Sequence, residues 1–260
     1  MTMYRGFGGE PGFSLDRFVT RGVKWLLLIN VAVFCVCIVL EVTLKISDNI
    51  FGIFAQNPIL TIWKSPVGTH VDVNWLCAMQ FFTYMFLHAD PWHLVMNMLV
   101  LWFFGPPLES RWGTTAFLKF YLFVGFAAGA LHGMLAPMFI GSNYYMLGAS
   151  GAIFACLLAF AIYYPNQQIL LWFVVPIPAR VLVVMLGIFT FLSLLYGGGP
   201  AGGGVNISHL THLAGLGFGY LWIRLGQQYP QFWLFNNDPG PFGRYGRRGG
   251  GGSRERFRDS

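Results

Sequence analysis

The sequence carries very little charge. Asp, Glu, Lys and Arg together make up 10% of its 260 residues, against roughly 25% in a typical soluble domain. Hydrophobic residues make up 55%, including 26 Phe, 11 Tyr and 9 Trp. So few charges cannot keep that much apolar surface in water. The composition excludes a soluble cytosolic enzyme, a nucleic-acid-binding domain and a disordered chain, and it favours a multi-pass helical membrane protein.

Cofactor and disulfide signatures are also missing. The sequence has no H-E-x-x-H, Walker A or dinucleotide-binding motif. Its four cysteines do not form a disulfide framework, and three of them lie in apolar runs. Four histidines remain as a candidate metal set, which their spacing does not favour: His88, His93, His209 and His212. We therefore expect no cofactor and no metal.

Six apolar runs account for most of the chain. They lie at about 24–44, 92–109, 115–136, 150–164, 180–196 and 208–226. Most are close to the ~20 residues that a spanning helix needs. This pattern predicts an all-α bundle of six transmembrane helices over residues 24–226. Residues 1–23 form a polar N-terminal segment without the pattern of a removable signal peptide. The Gly/Arg-rich tail, 227–260, is expected to be disordered.

The basic residues predict the orientation of this bundle. Six spans put both termini on one side of the membrane, and Lys and Arg favour the cytoplasmic side. With the termini inside, Lys45 and Lys64 are the only basic residues outside. The other 14 are inside: Arg5, Arg17, Arg21, Lys24, Arg111, Lys119, Arg180, Arg224, Arg244, Arg247, Arg248, Arg254, Arg256 and Arg258. Both termini are therefore expected in the cytoplasm, and this distribution gives no nucleic-acid-binding patch.

Two segments depart from a simple bundle. Residues 46–90 connect the first two runs and are rich in Phe and Trp, which predicts an interfacial outer loop. The fourth run has fifteen residues from Ser150 to Tyr164, about 22 Å as a helix, whereas the hydrocarbon core is about 30 Å thick. The N-terminal end of this short helix is then expected below the outer surface of the membrane. Non-helical backbone at that depth must be buried in protein or line a wet cavity, so residues 148–151 should line a buried pocket.

Ser150 begins the fourth run between two glycines, Gly148 and Gly151. Its hydroxyl has two interpretations, a catalytic nucleophile or an ordinary helix N-cap. The motif is G-x-S-G rather than the G-x-S-x-G elbow, because residue 152 is Ala. It therefore does not indicate an α/β-hydrolase.

His212 is the candidate base for that serine. Gly215 and Gly219 follow it as a G-x-x-x-G stripe, and the fourth helix has small residues at 151, 155 and 159. Packing the two stripes together would bring the helices unusually close. Ser150 and His212 would then meet near the outer ends of their helices, as an activated nucleophile requires. The alternative is that His212 is a buried polar residue that joins two helices.

His93 and Asn97 are candidates for stabilising an oxyanion. They are spaced i, i+4 and share one face near the outer end of the second helix. Together with the Ser150 amide at a helix N-terminus, they can donate hydrogen bonds to developing negative charge. The alternative is again hydrogen bonding between helices.

These residues, taken in order, resemble the motifs of the rhomboid family. The resemblance covers about residues 24–226 and rests on five segments. They are Thr83–His88, the H-x-x-x-N of His93 and Asn97, the E-x-R of Glu109–Arg111, the G-x-S-G of Gly148–Gly151, and the H-x-x-G-x-x-x-G of His212–Gly219. Each motif is weak alone, but five in sequence on the expected helices are specific.

The resemblance implies an intramembrane serine protease that uses a Ser-His dyad and an acyl-enzyme. Ser150 would be the nucleophile and His212 the base, with His93, Asn97 and the Ser150 amide as the oxyanion hole. Some members have Tyr packed on the catalytic His four residues after the nucleophile. Here that residue is Phe154, which keeps the stacking surface without the hydroxyl.

Expected partners are transmembrane protein substrates and the lipid bilayer. Six helices without an added one are similar to bacterial members, which implies a bacterial cytoplasmic membrane. Two other functions stay open. One is a catalytically inactive rhomboid-like protein that binds membrane clients. The other is a transporter with a broken helix, which would need polar groups at the midplane of the membrane.

Overall fold

The computed structural model describes residues 19–45, 47–56, 60–65, 68–139, 146–171, 174–196 and 207–228. Most of the two terminal segments, 1–23 and 227–260, lies outside these ranges. The described residues form eight helices, two hairpins and a 3₁₀ turn at Tyr84–Phe86. The helices are α1 (Arg21–Leu44), α2 (Ser47–Phe54), α3 (Cys77–Thr83), α4 (Pro91–Trp112), α5 (Thr114–Phe139), α6 (Ser150–Tyr163), α7 (Ala179–Tyr196) and α8 (Ile207–Gln228).

Each of the six apolar runs corresponds to one long helix of the structure, namely α1 and α4 to α8. The ends differ from the expected ones by a few residues. Three described helices are long and apolar enough to cross a membrane by length and composition. They are Arg21–Leu44, Thr114–Leu135 and Ala179–Tyr196, and α6 is a shorter apolar helix. Many large apolar side chains on α1 and α7 are exposed, as is expected for surfaces that face lipid.

The all-α expectation missed two small antiparallel hairpins. Strands β1 (Leu60–Ser65) and β2 (Gly68–Val73) pair within the long connection. Strands β3 (Gln168–Leu171) and β4 (Val175–Pro178) link α6 to α7. The two prolines of β4 explain why this segment is not helical, since proline lacks an N–H and clashes with the preceding helical turn. The cysteines of the described residues are free, as expected.

Helix α6 lies at the centre of the bundle and is built from small buried residues. A Cβ at Gly219 of α8 would lie 2.9 Å from the Ala155 Cβ, and one at Gly215 would overlap the Gly151 carbonyl. The backbones of α6 and α8 are therefore in direct contact. The predicted packing of the two small-residue stripes is confirmed.

The helices alternate in direction, so the bundle has two distinct ends. The N–H groups of Gly22 and Val23 in α1 donate to Glu109 near the end of α4. Six basic residues lie near this end: Arg21, Lys24, Arg111, Lys119, Arg180 and Arg224. We call it the basic end. Helices α4, α6 and α8 begin at the opposite end, which holds Ser150 and His212 and which we call the site end.

Candidate active site

Ser150 is the first residue of α6 and forms a hydrogen bond with His212. Ala149 occupies the N-cap position, and no side chain caps this helix. The Ser150 Oγ instead lies 2.8 Å from His212 Nε2, a distance at which a neutral imidazole nitrogen can accept a hydrogen bond from the hydroxyl. The N-cap interpretation of Ser150 is therefore wrong.

The imidazole of His212 lies flat against a phenyl ring. The ring centroids of His212 and Phe154 are 4.1 Å apart and their planes differ by 3°. Phe154 sits one turn after Ser150 on the same helix, so α6 supplies both the hydroxyl partner of His212 and its stacking surface. Ring stacking of this kind restricts the orientation of the imidazole.

The backbone before Ser150 is held by two earlier segments of the chain. Met146 and Gln56 exchange backbone hydrogen bonds of 2.9 Å in an antiparallel bridge, and the Gly148 N–H donates to the Tyr84 carbonyl at 2.9 Å. The Tyr84 hydroxyl in turn donates to the Gly125 carbonyl of α5. Gly148 has φ +120°, which only glycine adopts without strain. The segment from Met146 to Ala149, which leads into α6, is thereby held in place just before Ser150.

His93 and Asn97 face this glycine. A Cβ at Gly148 would lie 2.8 Å from the His93 imidazole and 3.7 Å from Asn97 Nδ2. Asn97 is 7% exposed, and its Nδ2 has no hydrogen-bond partner among the described residues. Buried donors of this kind are rare because they cost free energy. Asn97 therefore points an unused N–H donor at the backbone next to Ser150.

The start of α4 fixes the position of His93. The Asp90 carboxylate caps this helix and accepts a hydrogen bond of 2.9 Å from the His93 N–H. His88 packs edge-on against the His93 ring, with centroids 5.1 Å apart. Burial, followed by the nearby His93 ring, lowers the pKa of His88 to about 4. His88 is therefore neutral at pH 7 and adds no charge beside His93.

The sequence analysis missed two polar residues near the dyad, Thr211 and His132. Thr211 contacts His132 of α5 and the Met146 sulfur. His209, one turn before His212, is buried with both ring nitrogens unpartnered in the described structure. A polar residue inside an apolar helix is a signal that could have drawn attention to His132. His209 is not the partner of Ser150.

The four histidines considered as metal ligands do not form a metal site. Within the described ranges, no group of three or more His, Cys, Asp or Glu side chains is arranged to hold a metal ion.

The site therefore combines a hydrogen-bonded Ser-His pair with donors aimed at the adjacent backbone. A hydroxyl beside an imidazole can act as a nucleophile, and preorganised donors can stabilise the negative charge that forms when it attacks a carbonyl. These groups are half-buried or buried at the site end of a helical bundle.

Comparison with known proteins identifies relatives of this chain. It is 39% identical to "Rhomboid protein 1, mitochondrial" of Saccharomyces cerevisiae over 106 residues, which is 39% of this chain and 29% of that protein. It is 25% identical to "Rhomboid-like protein 11, chloroplastic" of Arabidopsis thaliana over 239 residues, 85% of this chain and 73% of that protein. Identity to "Rhomboid protease GluP" of Bacillus subtilis is 42% over 71 residues, 27% of this chain and 13% of that protein. The chain thus spans less than a third of the yeast and Bacillus proteins.

The rhomboid domain family matches residues 77–228, more than half of the chain. The match runs from α3 to the end of α8 and contains the whole candidate site. It excludes α1 and the first part of the long connection. The family match, the relatives and the helical architecture all agree. The chain therefore belongs to the rhomboid family of membrane proteins.

Proposed function

We propose that this chain is an intramembrane serine endopeptidase. The rhomboid family includes both proteases and inactive pseudoproteases, so the family alone does not assign the activity. The observation that carries the proposal is the 2.8 Å hydrogen bond between Ser150 Oγ and His212 Nε2, next to the unpartnered Nδ2 of Asn97.

The proposed reaction begins when Ser150 Oγ attacks the carbonyl carbon of the scissile peptide bond and His212 Nε2 takes its proton. The carbonyl oxygen becomes an oxyanion, which accepts hydrogen bonds from Asn97, His93 and the Ser150 N–H. The tetrahedral intermediate collapses, the C–N bond breaks, and His212 gives its proton to the leaving amine. An acyl ester on Ser150 remains. Water, deprotonated by His212, then hydrolyses this ester and restores the hydroxyl.

The substrates proposed are transmembrane segments of other proteins. The apolar exposed faces of α1 and α7 support a bundle surrounded by lipid, and the half-buried dyad lies at one end of it. A peptide bond would reach Ser150 from within or near the bilayer. No metal or cofactor is required in this mechanism.

We further propose six membrane spans, a membrane domain over 24–226, an interfacial loop between the first two spans, and both termini in the cytoplasm. The gathering of six described basic residues at the basic end supports this orientation. A reporter that is active only outside the cytoplasm, fused after Ser260, should be silent, and a strong signal would reverse the orientation.

The relatives named above include mitochondrial and chloroplastic proteins, which do not support a bacterial cell membrane. We therefore propose a multi-pass membrane protein and assign it to no particular membrane.

The second candidate function is an inactive rhomboid-like protein that binds membrane clients. The family itself supports this candidate, because it includes inactive pseudoproteases as well as proteases. The hydrogen-bonded pair of Ser150 and His212 argues against it, since a binding protein has no need of an activated hydroxyl.

The test is cleavage of a model transmembrane substrate, together with fluorophosphonate labelling, by the purified full chain in detergent. The wild type should cleave and be labelled at Ser150. Ser150→Ala and His212→Ala should abolish both, because an unassisted hydroxyl is a poor nucleophile. Ser110→Ala, the same change at the basic end, should remain active. Labelling that persists in His212→Ala would contradict the dyad, and a wild type that neither cleaves nor reacts would favour the binding function.

A further inference from the structure

Thr211, the residue before His212, contacts the chain on both sides of Ser150. A Cβ at Gly151 would lie 2.9 Å from Thr211 Cγ2 and 3.5 Å from the Thr211 carbonyl oxygen. The Thr211 hydroxyl contacts the Met146 sulfur on the other side of Ser150. It also lies 3.0 Å from Nδ1 of His132, a residue of α5 that is 0% exposed. Thr211 thus lies between the base, the two flanks of the nucleophile and a neighbouring helix.

The Thr211 hydroxyl can donate one hydrogen bond and accept others, because it has one hydrogen and two acceptor lone pairs. Its oxygen contacts the Met146 sulfur, which can only accept, and lies 3.0 Å from His132 Nδ1. This ring nitrogen donates in one tautomer of the neutral imidazole and accepts in the other, so the contact is a hydrogen bond in either case. His132 thereby ties the Thr211 side chain to α5.

His212 lies near the start of α8, where the helix itself restrains the backbone least. It is the sixth residue, shortly after the first four residues, whose N–H groups have no partner within the helix. A triad uses a carboxylate to fix its imidazole. Here the Nε2 of His212 bonds Ser150 and its face stacks on Phe154, and these contacts leave the backbone beside His212 to be held by other means.

We propose that His132, acting through Thr211, is a positioning residue that holds His212 and Ser150 in register. This inference rests on the proposed protease function and extends it to a residue that touches neither the substrate nor the reacting atoms. The link consists of the His132 to Thr211 hydrogen bond, the Thr211 contact with Met146, and the packing of Thr211 on Gly151. It joins α5 and α8 to both sides of the nucleophile.

Four variants test the link. Thr211→Val keeps the branched shape on Gly151 and removes the hydroxyl, whereas Thr211→Ser keeps the hydroxyl. His132→Leu removes the ring nitrogen, and the double variant Thr211→Val/His132→Leu removes both partners of this hydrogen bond together. Thr190→Val makes the same change at another buried threonine, on α7, and serves as the matched control.

The readouts are kcat and KM for a model transmembrane substrate, the rate of fluorophosphonate labelling, and thermal stability. Thr211→Val and His132→Leu should each lower kcat and the labelling rate about tenfold, a change of about 1.4 kcal/mol in the barrier, with KM unchanged. Thr211→Ser should restore kcat to within about threefold of wild type, and Thr190→Val should leave it unchanged. The double variant should be as slow as either single variant, because both changes break one link.

Two results would overturn the proposal. One is a double variant that regains both stability and kcat, since the single variants would then have acted only through an unpaired buried group. The other is a loss of kcat that follows the loss of thermal stability across all the variants, Thr190→Val included. A wild type that neither cleaves nor is labelled contradicts the proposed function instead, and this is recorded before any variant is compared.

Discussion

The two ends of the bundle treat their buried polar groups in opposite ways. At the basic end, the Glu109 carboxylate accepts four hydrogen bonds, from the hydroxyls of Thr20 and Thr114 and the N–H groups of Gly22 and Val23. At the site end, Asn97 Nδ2 and both ring nitrogens of His209 are buried without a partner among the described residues.

This difference separates a structural network from a reactive one. A fully bonded carboxylate fixes the start of α1 against the end of α4, and it leaves no capacity for a ligand. A buried donor without a partner costs about 1–3 kcal/mol, which a protein tolerates where the missing partner is supplied by a ligand or a transition state. Changes at the basic end should therefore reduce stability, and changes at the site end should reduce turnover.

The largest expected effect is the loss of the oxyanion donors. Asn97→Ala and His93→Ala should lower kcat more than they raise KM, because the donors act on charge that develops in the transition state. Removing one such donor costs about 10²–10³ in rate in a soluble protease. Because three donors share the negative charge of the oxyanion here, we expect the smaller of these losses for each single variant. The measurement is steady-state cleavage of a model transmembrane substrate.

The same variants test the contrast between the ends. Thermal stability of Asn97→Ala should be close to that of the wild type, since the lost amide made no bond through Nδ2. Full activity in both single variants and in the double variant would show that His93 and Asn97 serve only in packing between helices.

The second effect is a loss of stability at the basic end. Glu109→Gln replaces a carboxylate oxygen with an N–H donor that faces groups which themselves donate. We expect the free energy of unfolding to fall by about 2–4 kcal/mol, because charge-assisted hydrogen bonds and the attraction of the helix N-terminus are lost together. Glu41→Gln, the same change at an exposed position of α1, is the matched control and should change stability little.

The cleavage rate of Glu109→Gln tests the same contrast between the two ends. Glu109→Gln that is still folded should cleave within a few-fold of the wild-type rate, because Glu109 is at the far end of α4 from His93. If its kcat fell 100-fold while its stability stayed unchanged, the division between a structural end and a reactive end would be wrong.

Much of the candidate site could be predicted from short-range spacing. Gly215 and Gly219 share a face of α8, which predicted their contact with α6. The i, i+4 spacing of His93 and Asn97 predicted that both would point in one direction. The order of the motifs along the chain then indicated the family. Each of these inferences uses helical periodicity, which depends only on residues within a few turns of one another.

The remaining contacts join residues far apart in the sequence. Thr211 and His132 are 79 positions apart, and Gln56 pairs with Met146 across α3 to α5. Such pairs depend on how helices pack, which periodicity does not specify. The hairpin β3–β4 was missed for a related reason, because its strands have only four residues each and a short apolar run resembles a helix end.

The third effect concerns the contact that joins α6 to α8. Gly219→Ala places a Cβ 2.9 Å from the Ala155 Cβ, so α8 must shift and should carry His212 away from Ser150. We expect a loss of about 1–3 kcal/mol in stability, typical of overpacking, with a measurable fall in the fluorophosphonate labelling rate. Gly217→Ala on the same helix meets nothing within 4 Å and should be neutral or stabilising. Equal effects from the two variants would show that the small-residue stripe does not determine the geometry of the dyad.

The smallest effects are expected from two carboxylates at the site end, Glu41 and Asp90. A triad acid orients its imidazole, and replacing it costs about 10⁴ in rate. Asp90 is occupied in capping α4, and it lines a groove with Glu41 and His88 on the α1 side of the bundle. The orientation of His212 instead comes from stacking on Phe154. Asp90→Asn retains a good N-cap, so the helix start that holds His93 should persist.

Glu41→Gln and Asp90→Asn should therefore each keep at least about a tenth of the wild-type rate, measured as initial cleavage at matched expression. Phe154→Ala should cost more than either, because it removes the surface that restricts the imidazole. Its effect should appear in kcat and in fluorophosphonate labelling rather than in KM, since the ring acts on the base and not on the substrate. A loss of several orders of magnitude in one carboxamide variant that is still folded would reveal a triad acid. The site end would then contain a satisfied carboxylate network of its own, and the contrast with the Glu109 network would no longer hold.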